Sequence, residues 1–321
     1  MKRKVLLTIF IAIFLFGCQA GTKPSSSSDK PVIKIGYLPI THAAPLLLDH
    51  HLHEGEFAGY RLELVKFSSW PDLIDALNAG RIDGASVLMQ LAMQAKDIGV
   101  DLKAVALGHR DGNVIISAND IDEVNDLKGT TFAIPHTHSA HHLLIHELLK
   151  NEGLSYDDVN LVEMPPPEMP AALAEGRISG YAVAEPFGAI AVNLGVGKVL
   201  AHSESFWPDS YCCVLVLRNA FITENERLTQ EFIKHYVAAG KAANEKSDAL
   251  YEALQNHMDV DKDVLELSLE WITYDNLKIE AEEYAKLSDR ILQLGLMENP
   301  PAFDEFVDLR FINEVTEENE S

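Results

Sequence analysis

The chain has 321 residues, 47% of them apolar, which is enough for two compact lobes with their own cores and too polar for a multi-span membrane protein. Asp and Glu number 49 against 26 Lys and Arg, and the net charge of −23 excludes binding to nucleic acid or to an anionic membrane through the general field.

Met1-Lys2-Arg3-Lys4 is a basic start, and residues 5–16 are apolar except for Thr8. That length suits a signal-peptide core and is short for a bilayer span. Leu15-Phe16-Gly17-Cys18 resembles a bacterial lipobox, in which Cys18 is the residue that receives the lipid anchor. An ordinary secretory signal with a chance cysteine is the alternative. Ser25-Ser26-Ser27-Ser28 lies in a polar spacer of the kind that tethers a domain to an anchor. The expected layout is a signal peptide over 1–17 and a lipidated cysteine with its tether over 18–30. The anchor would hold the protein on the extracytoplasmic face of the cell membrane.

From residue 31 short apolar strands alternate with amphipathic helices. Strands are expected at 32–38, 60–67, 85–87 and 103–107, and helices at 43–52, 70–79 and 88–99, a pattern of mostly parallel sheets. The middle of the chain repeats the beginning. Pro39-Ile40-Thr41-His42-Ala43-Ala44 is echoed by Pro135-His136-Thr137-His138-Ser139-Ala140, and Gly80-Arg81-Ile82-Asp83-Gly84 by Gly176-Arg177-Ile178-Ser179-Gly180. Both echoes share one register of 96 residues, which argues for two lobes on the same local plan and against two generic strand–helix units. Lobe one is expected over 31–116, with the crossing at 117–120 and lobe two over 117–210. A return strand then opens 211–321, whose helices complete lobe one. The acidic tail 314–321 is expected to be disordered. Cys212 and Cys213 sit in an apolar strand where neighbours point to opposite faces. They are therefore expected to be packing thiols with no disulfide between them.

The two Thr-His turns each follow a strand and precede a helix, so free backbone N–H groups point out of the carboxyl edge of a sheet. Thr41-His42 and Thr137-His138-Ser139, with His136 beside them, are expected to meet across a cleft. Simple N-capping is the plainer role for the threonines and Ser139. Gln90 follows the first Gly-Arg-Ile unit, and Glu185 follows the second. Glu185 is either a carboxylate aimed at a ligand or a helix N-terminal charge. Arg81 and Arg177 are assigned to the fold. Trp70 and Tyr211 are candidate walls of the pocket, as are Tyr37, Phe187 and Trp207. Histidine is abundant, with 13 residues. His141, His142 and His146 are expected on a helix surface, whereas His42, His138 and Glu185 are a candidate metal trio. No cofactor motif is present. No Gly-x-Ser-x-Gly, phosphate-binding loop or paired-carboxylate motif suggests an enzyme.

Ile35-Gly36-Tyr37-Leu38-Pro39, Ala76-Leu77-Asn78-Ala79-Gly80-Arg81-Ile82-Asp83-Gly84, residues 127–135 and Glu185-Pro186-Phe187 carry a resemblance over about residues 31–296. They are similar to the nitrate/sulfonate/taurine substrate-binding proteins, a family that also holds binders of thiamine-pyrimidine precursors. The resemblance implies a type II periplasmic-binding-protein fold: two α/β lobes with mostly parallel sheets, joined by a two-strand hinge. It implies a monomer that captures a small polar or anionic solute and delivers it to an ABC permease and its ATPase. Binding a heterocyclic precursor or a metal such as zinc is the alternative, and an enzyme on the same fold is a more distant one. Ser69-Trp70 resembles a ligand-contacting pair of the family, and Glu185-Pro186-Phe187 a segment whose acid can hold a metal. The chain departs from the family in having His42 where an acid is usual, and in cleft turns that lack Arg and Lys.

Overall fold

The computed structural model describes residues 30–208 and 210–320. The leader, Cys18 and the serine tether lie outside the described residues. The first half of the chain runs β1 (Val32–Tyr37), α1 (Ala44–His53), β2 (Arg61–Lys66), α2 (Trp70–Asn78), β3 (Gly84–Leu88), α3 (Met89–Asp97), β4 (Leu102–Leu107), β5 (Arg110–Asp111) and β6 (Asn113–Ser117). It continues with β7 (Thr131–Ile134), α4 (Ala140–Asn151), β8 (Asn160–Glu163), α5 (Met169–Ala174), β9 (Gly180–Ala184), α6 (Phe187–Asn193) and β10 (Lys198–His202). The return is β11 (Cys213–Arg218), α7 (Asn219–Glu224), α8 (Glu226–Asn244), α9 (Asp248–His257), α10 (Lys262–Glu270), β12 (Ile272–Thr273), α11 (Ala281–Gln293), α12 (Phe303–Phe306) and α13 (Arg310–Glu320).

Two five-stranded sheets follow one plan. The first has the order β2-β1-β3-β11-β4, and the second, read from its far edge, β8-β7-β9-β6-β10. In each, the third strand pairs in parallel with the first and antiparallel with the strand that arrives from the other lobe. That visitor is β11 in the first sheet and β6 in the second. Each sheet is thus mixed, with four strands in one direction and one reversed. The central strands β3, β6 and β9 are buried along their whole length, because helices cover both faces. Helix starts use local chemistry: the Ser69 hydroxyl accepts the Asp72 amide at 3.4 Å ahead of α2, and the Ser139 hydroxyl accepts the His142 amide at 3.2 Å ahead of α4.

Three features differ from expectation. The chain enters the second lobe between the end of β4 at Leu107 and the start of β6 at Asn113, ahead of residues 117–120, because the visiting strand is itself part of the second sheet. The C-terminal helices do not all rest on the first lobe. α10 packs on α6, and Arg290 of α11 pairs with Glu147 of α4 at 2.8 Å, so the two brace the lobes shut. The tail is helical through Glu320, since Phe311, Ile312 and Val315 make an apolar stripe that buries against the core.

The Gly-Arg-Ile-x-Gly repeat has a packing cause. A Cβ on Gly84 would stand 2.5 Å from the Val216 carbonyl oxygen and 2.5 Å from Leu217 Cδ2. A Cβ on Gly180 would stand 2.7 Å from the Ile116 carbonyl oxygen. Both glycines lie where the visiting strand crosses closest. Gly84→Ala and Gly180→Ala should each destabilise the protein by about 1–3 kcal/mol through overpacking, read as a lower denaturant midpoint. An unchanged midpoint would contradict this account of the repeat.

Candidate functional site

The cleft centre is built from the turn after β1 and from both crossings. Thr41–Ala43 forms a single 3-10 turn that drops His42 into the interior. The Thr41 amide and hydroxyl both donate to the Glu185 carbonyl of the second lobe, at 2.9 and 3.2 Å. Tyr274 donates to the Thr41 carbonyl at 2.9 Å. At the first crossing Asp111 and Gly112 take left-handed backbone, φ 58° and 75°, with β5 pinned by its pairing to β12. At the second crossing the Cys212 carbonyl accepts the Met89 amide at 2.7 Å, and the Cys213 carbonyl accepts the Gly108 amide at 2.9 Å.

These constraints bring His42, His109, Cys212 and Cys213 together, all buried, with one ligand atom from each lying within 4.8 Å of the others. His42 Nδ1 is 3.4 Å from Cys213 Sγ and 3.6 Å from Cys212 Sγ, and the two sulfurs are 3.8 Å apart. His42 Nε2 stands 3.1 Å from the Gly112 carbonyl oxygen. A carbonyl only accepts, so Nε2 carries the proton and Nδ1 is bare toward the sulfurs. His109 repeats the arrangement: Nδ1 donates to the Asp111 carbonyl at 2.8 Å, and the buried Nε2 is left toward Cys212 without a hydrogen bond of normal geometry. The two rings lie against each other with centroids 3.5 Å apart.

Electrostatics favour one thiolate. Burial opposes ionisation of Cys212, but the Cys213 thiol and the imidazoles of His141, His42 and His109 outweigh it and hold Cys212 well below the ordinary thiol range. Cys213 is pushed well above that range by burial and by its neighbour. His109 is lowered to about 4 by burial and by His42. His141 of α4 is also lowered to about 4, chiefly by burial, and neither ring nitrogen has a hydrogen bond of normal geometry.

His42, Cys212 and Cys213 have the spacing of three ligands of a tetrahedral metal ion, and His109 stands within 4.8 Å of them as a fourth. Zinc bonds of about 2.3 Å to sulfur and about 2.05 Å to nitrogen place two sulfurs about 3.8 Å apart, and a sulfur and a nitrogen about 3.6 Å apart. The observed edges of 3.8, 3.6 and 3.4 Å lie close to these values. Each imidazole is also oriented by a backbone carbonyl on its other nitrogen, the usual support of a metal-bound histidine.

The residues singled out from the sequence separate into groups. Thr41, His42, Gln90, Glu185 and Tyr211 are buried in the interlobe interior. Gln90 Nε2 reaches the Tyr211 carbonyl at 3.5 Å, and the Tyr211 hydroxyl accepts the Glu280 amide at 2.9 Å. Ser69 caps α2, and Trp70 is buried at the start of that helix. His136, Thr137 and Ser139 stay in the second lobe. Thr137 donates to the Glu163 carboxylate, His136 Nδ1 accepts the His138 amide at 2.9 Å, and Ser139 caps α4. His138 meets Gln94 of α3 across the seam at 2.7 Å.

Among the candidate metal trio, only His42 joins the cluster. His138 is engaged with Gln94, and Glu185 Oε2 accepts the Ala189 amide at 3.0 Å. His141 and His142 are buried beneath the seam instead of lying on a helix surface. Cys212 and Cys213 are free, as expected, but they do not diverge: Cys212 precedes β11, so strand alternation does not govern it. Sequence reasoning did not single out His109, and it assigned Cys212 and Cys213 to packing and His141 to a helix surface. The signal available was a vicinal cysteine pair in a histidine-rich chain.

Fold and site together define a two-lobed binding protein with a thiol–imidazole centre. A family model described as the NMT1-like family matches residues 26–255, and the chain belongs to that family. A ligand-binding component of an ABC-type import system from Staphylococcus aureus, solved with zinc bound, is 44% identical with a TM-score of 0.85. The match covers 89% of this chain and 99% of that one. The nitrate-binding protein NrtA from Synechocystis PCC 6803 shares the fold, with a TM-score of 0.81 at 18% identity over 91% of this chain and 90% of that one. The nitrate/nitrite-binding protein NrtA of Nostoc sp. is 29% identical over 62% of this chain and 51% of its own length. The chain spans about a third to a half of the length of the curated relatives it matches first. The solved proteins that share this fold include binding components of import systems.

Glu185 supplies a test of the buried cleft. Burial raises its carboxyl to about 8 from an ordinary 4.5. Between those values the unfolded chain is ionised there and the folded one is not, so the folded state holds more protons and stability falls as pH rises. Glu185→Gln removes this loss. Its unfolding free energy should gain on the parent's by about 1 kcal/mol or more for each pH unit between about 5 and 8. A pH-independent difference between the two would contradict the neutral, buried carboxyl.

Proposed function

We propose that this protein is the substrate-binding component of an ABC importer whose cargo is a divalent, thiophilic metal ion, zinc foremost. The observation that carries the reading is the buried His42–His109–Cys212–Cys213 set, in which the three edges among His42, Cys212 and Cys213 lie close to those of a zinc tetrahedron and the spare imidazole N–H groups are held by backbone carbonyls. The zinc bound to the 44% identical S. aureus protein supports it.

Capture follows from the geometry. In the open form the ion meets the turn of His42 and the two crossings, which carry the other three ligands. Cys213, and whatever fraction of Cys212 is protonated, release protons as the sulfurs bind, so affinity falls with acidification. Closure brings the Glu185 carbonyl onto Thr41, the His138 ring onto Gln94, and Glu147 onto Arg290. The same movement seats His141 beside Cys212 and His42. The ion thereby favours the closed form, the differential affinity that any signal to a permease requires. The closed protein delivers its ion to the permease and ATPase as a monomer. Cys18 carries the lipid that holds it at the extracytoplasmic face. No helix among the described residues is long and apolar enough to cross a membrane.

A second reading places a small anion in the same cleft, supported by relatives named for nitrate. Thermal unfolding separates the two. Zinc at 100 times its dissociation constant should add about 2.7 kcal/mol, reversed by EDTA and abolished in Cys212→Ser/Cys213→Ser. A shift with nitrate, taurine or an alkanesulfonate in EDTA, and none with zinc, would overturn the metal reading in favour of the anion.

A further inference from the structure

α1 leaves the cleft at Ala44 and rises about 1.5 Å per residue, so His53 stands roughly 14 Å further along, on the outer side of the first lobe. There Asp49, His53 and His235 each offer a ligand atom within 4.8 Å of the others. Asp49 is 1% exposed, yet neither carboxylate oxygen has a hydrogen-bond partner. His53 Nδ1 lies 3.4 Å from Asp49 Oδ1 but donates along the helix to the Asp49 carbonyl at 2.9 Å, which leaves Nε2 bare. His235 comes from α8, which packs on α1, and its ring stands edge-on to that of His53 with centroids 5.2 Å apart. Phe57 and Tyr60 flank the imidazoles, and the buried Tyr60 hydroxyl has no partner either.

A carboxyl withdrawn from water without a donor either takes up a proton or meets a cation. Two imidazoles and one carboxylate, with a further position open, are a common set for zinc and neighbouring divalent ions. His53 and His235 are half-exposed, which gives an ion its path in. We propose that Asp49, His53 and His235 form a second divalent-metal site on the outer face of the first lobe, separate from the cleft and free of sulfur. The site binds whether or not the cleft is loaded, because no residue is shared.

Cobalt is the probe, since thiolate ligation gives it a charge-transfer absorption that nitrogen and oxygen ligands do not. The full-length protein should bind two equivalents of Co²⁺, one with that absorption and one with ligand-field bands alone. Cys212→Ser/Cys213→Ser should lose the first signature and keep the second equivalent. His235→Ala should weaken the second at least tenfold and keep the charge-transfer band, with its metal-free unfolding midpoint near the parent's. Should His235→Ala fold poorly, the near-isosteric Asp49→Asn and His53→Gln variants give the same readout. A parent that binds no sulfur-free equivalent, or a sulfur-free equivalent indifferent to these substitutions, would overturn the proposal, whereas a lone sulfur-free equivalent would contradict only the cleft reading.

Discussion

The Gly112 and Asp111 carbonyls each take one imidazole N–H, from His42 at 3.1 Å and from His109 at 2.8 Å, and the cleft is arranged around what this leaves. Two bare ring nitrogens face two thiols in a space closed to water. Rings held in one tautomer keep lone pairs available there, and the hydrogen bond from the Cys213 thiol lowers the cost of a thiolate at Cys212. Were either carbonyl turned away, its ring would be free to flip, and the nitrogen now bare would seek a proton or a sulfur hydrogen. Left-handed backbone at Asp111 and Gly112 sets those carbonyls, and the short β5–β12 pairing holds that backbone.

The repeat explains why such a centre forms at the crossings. Each lobe is a sheet of one plan whose reversed strand comes from the other lobe. The two reversed strands, β6 and β11, therefore run beside the carboxyl ends of β3 and β9, where open sheets place ligands. His42 reaches in from the turn of the first repeat. Its counterpart His138 takes up a seam contact with Gln94 instead. Equivalent positions in the two lobes have thus diverged, one into the buried cluster and the other into the latch. Gly108 permits the approach, since a Cβ there would stand 2.8 Å from the His42 carbonyl oxygen.

Much of this was legible in the sequence, and the remainder was hidden for identifiable reasons. Strand–helix alternation and the 96-residue register announced two like lobes, and the sheets share one order. The Thr-His turn and Glu185 were visible as helix-start features, and they meet across the seam through Thr41. The cysteines are free as expected, but their sulfurs do not diverge, because alternation applies within a strand and Cys212 lies in the crossing just before it. His109 carried no local signal: an isolated histidine after an apolar strand gains meaning only from residues about a hundred positions away. His141 and His142 were assigned to a surface because their polarity suggested it, while the closed seam covers both.

X-ray absorption at the zinc edge, on protein loaded with one equivalent of zinc, tests the central claim most directly. The account predicts two sulfur neighbours at about 2.3 Å and two imidazole nitrogens at about 2.0–2.1 Å. A shell of nitrogen and oxygen alone, with no sulfur scatterer, would contradict it.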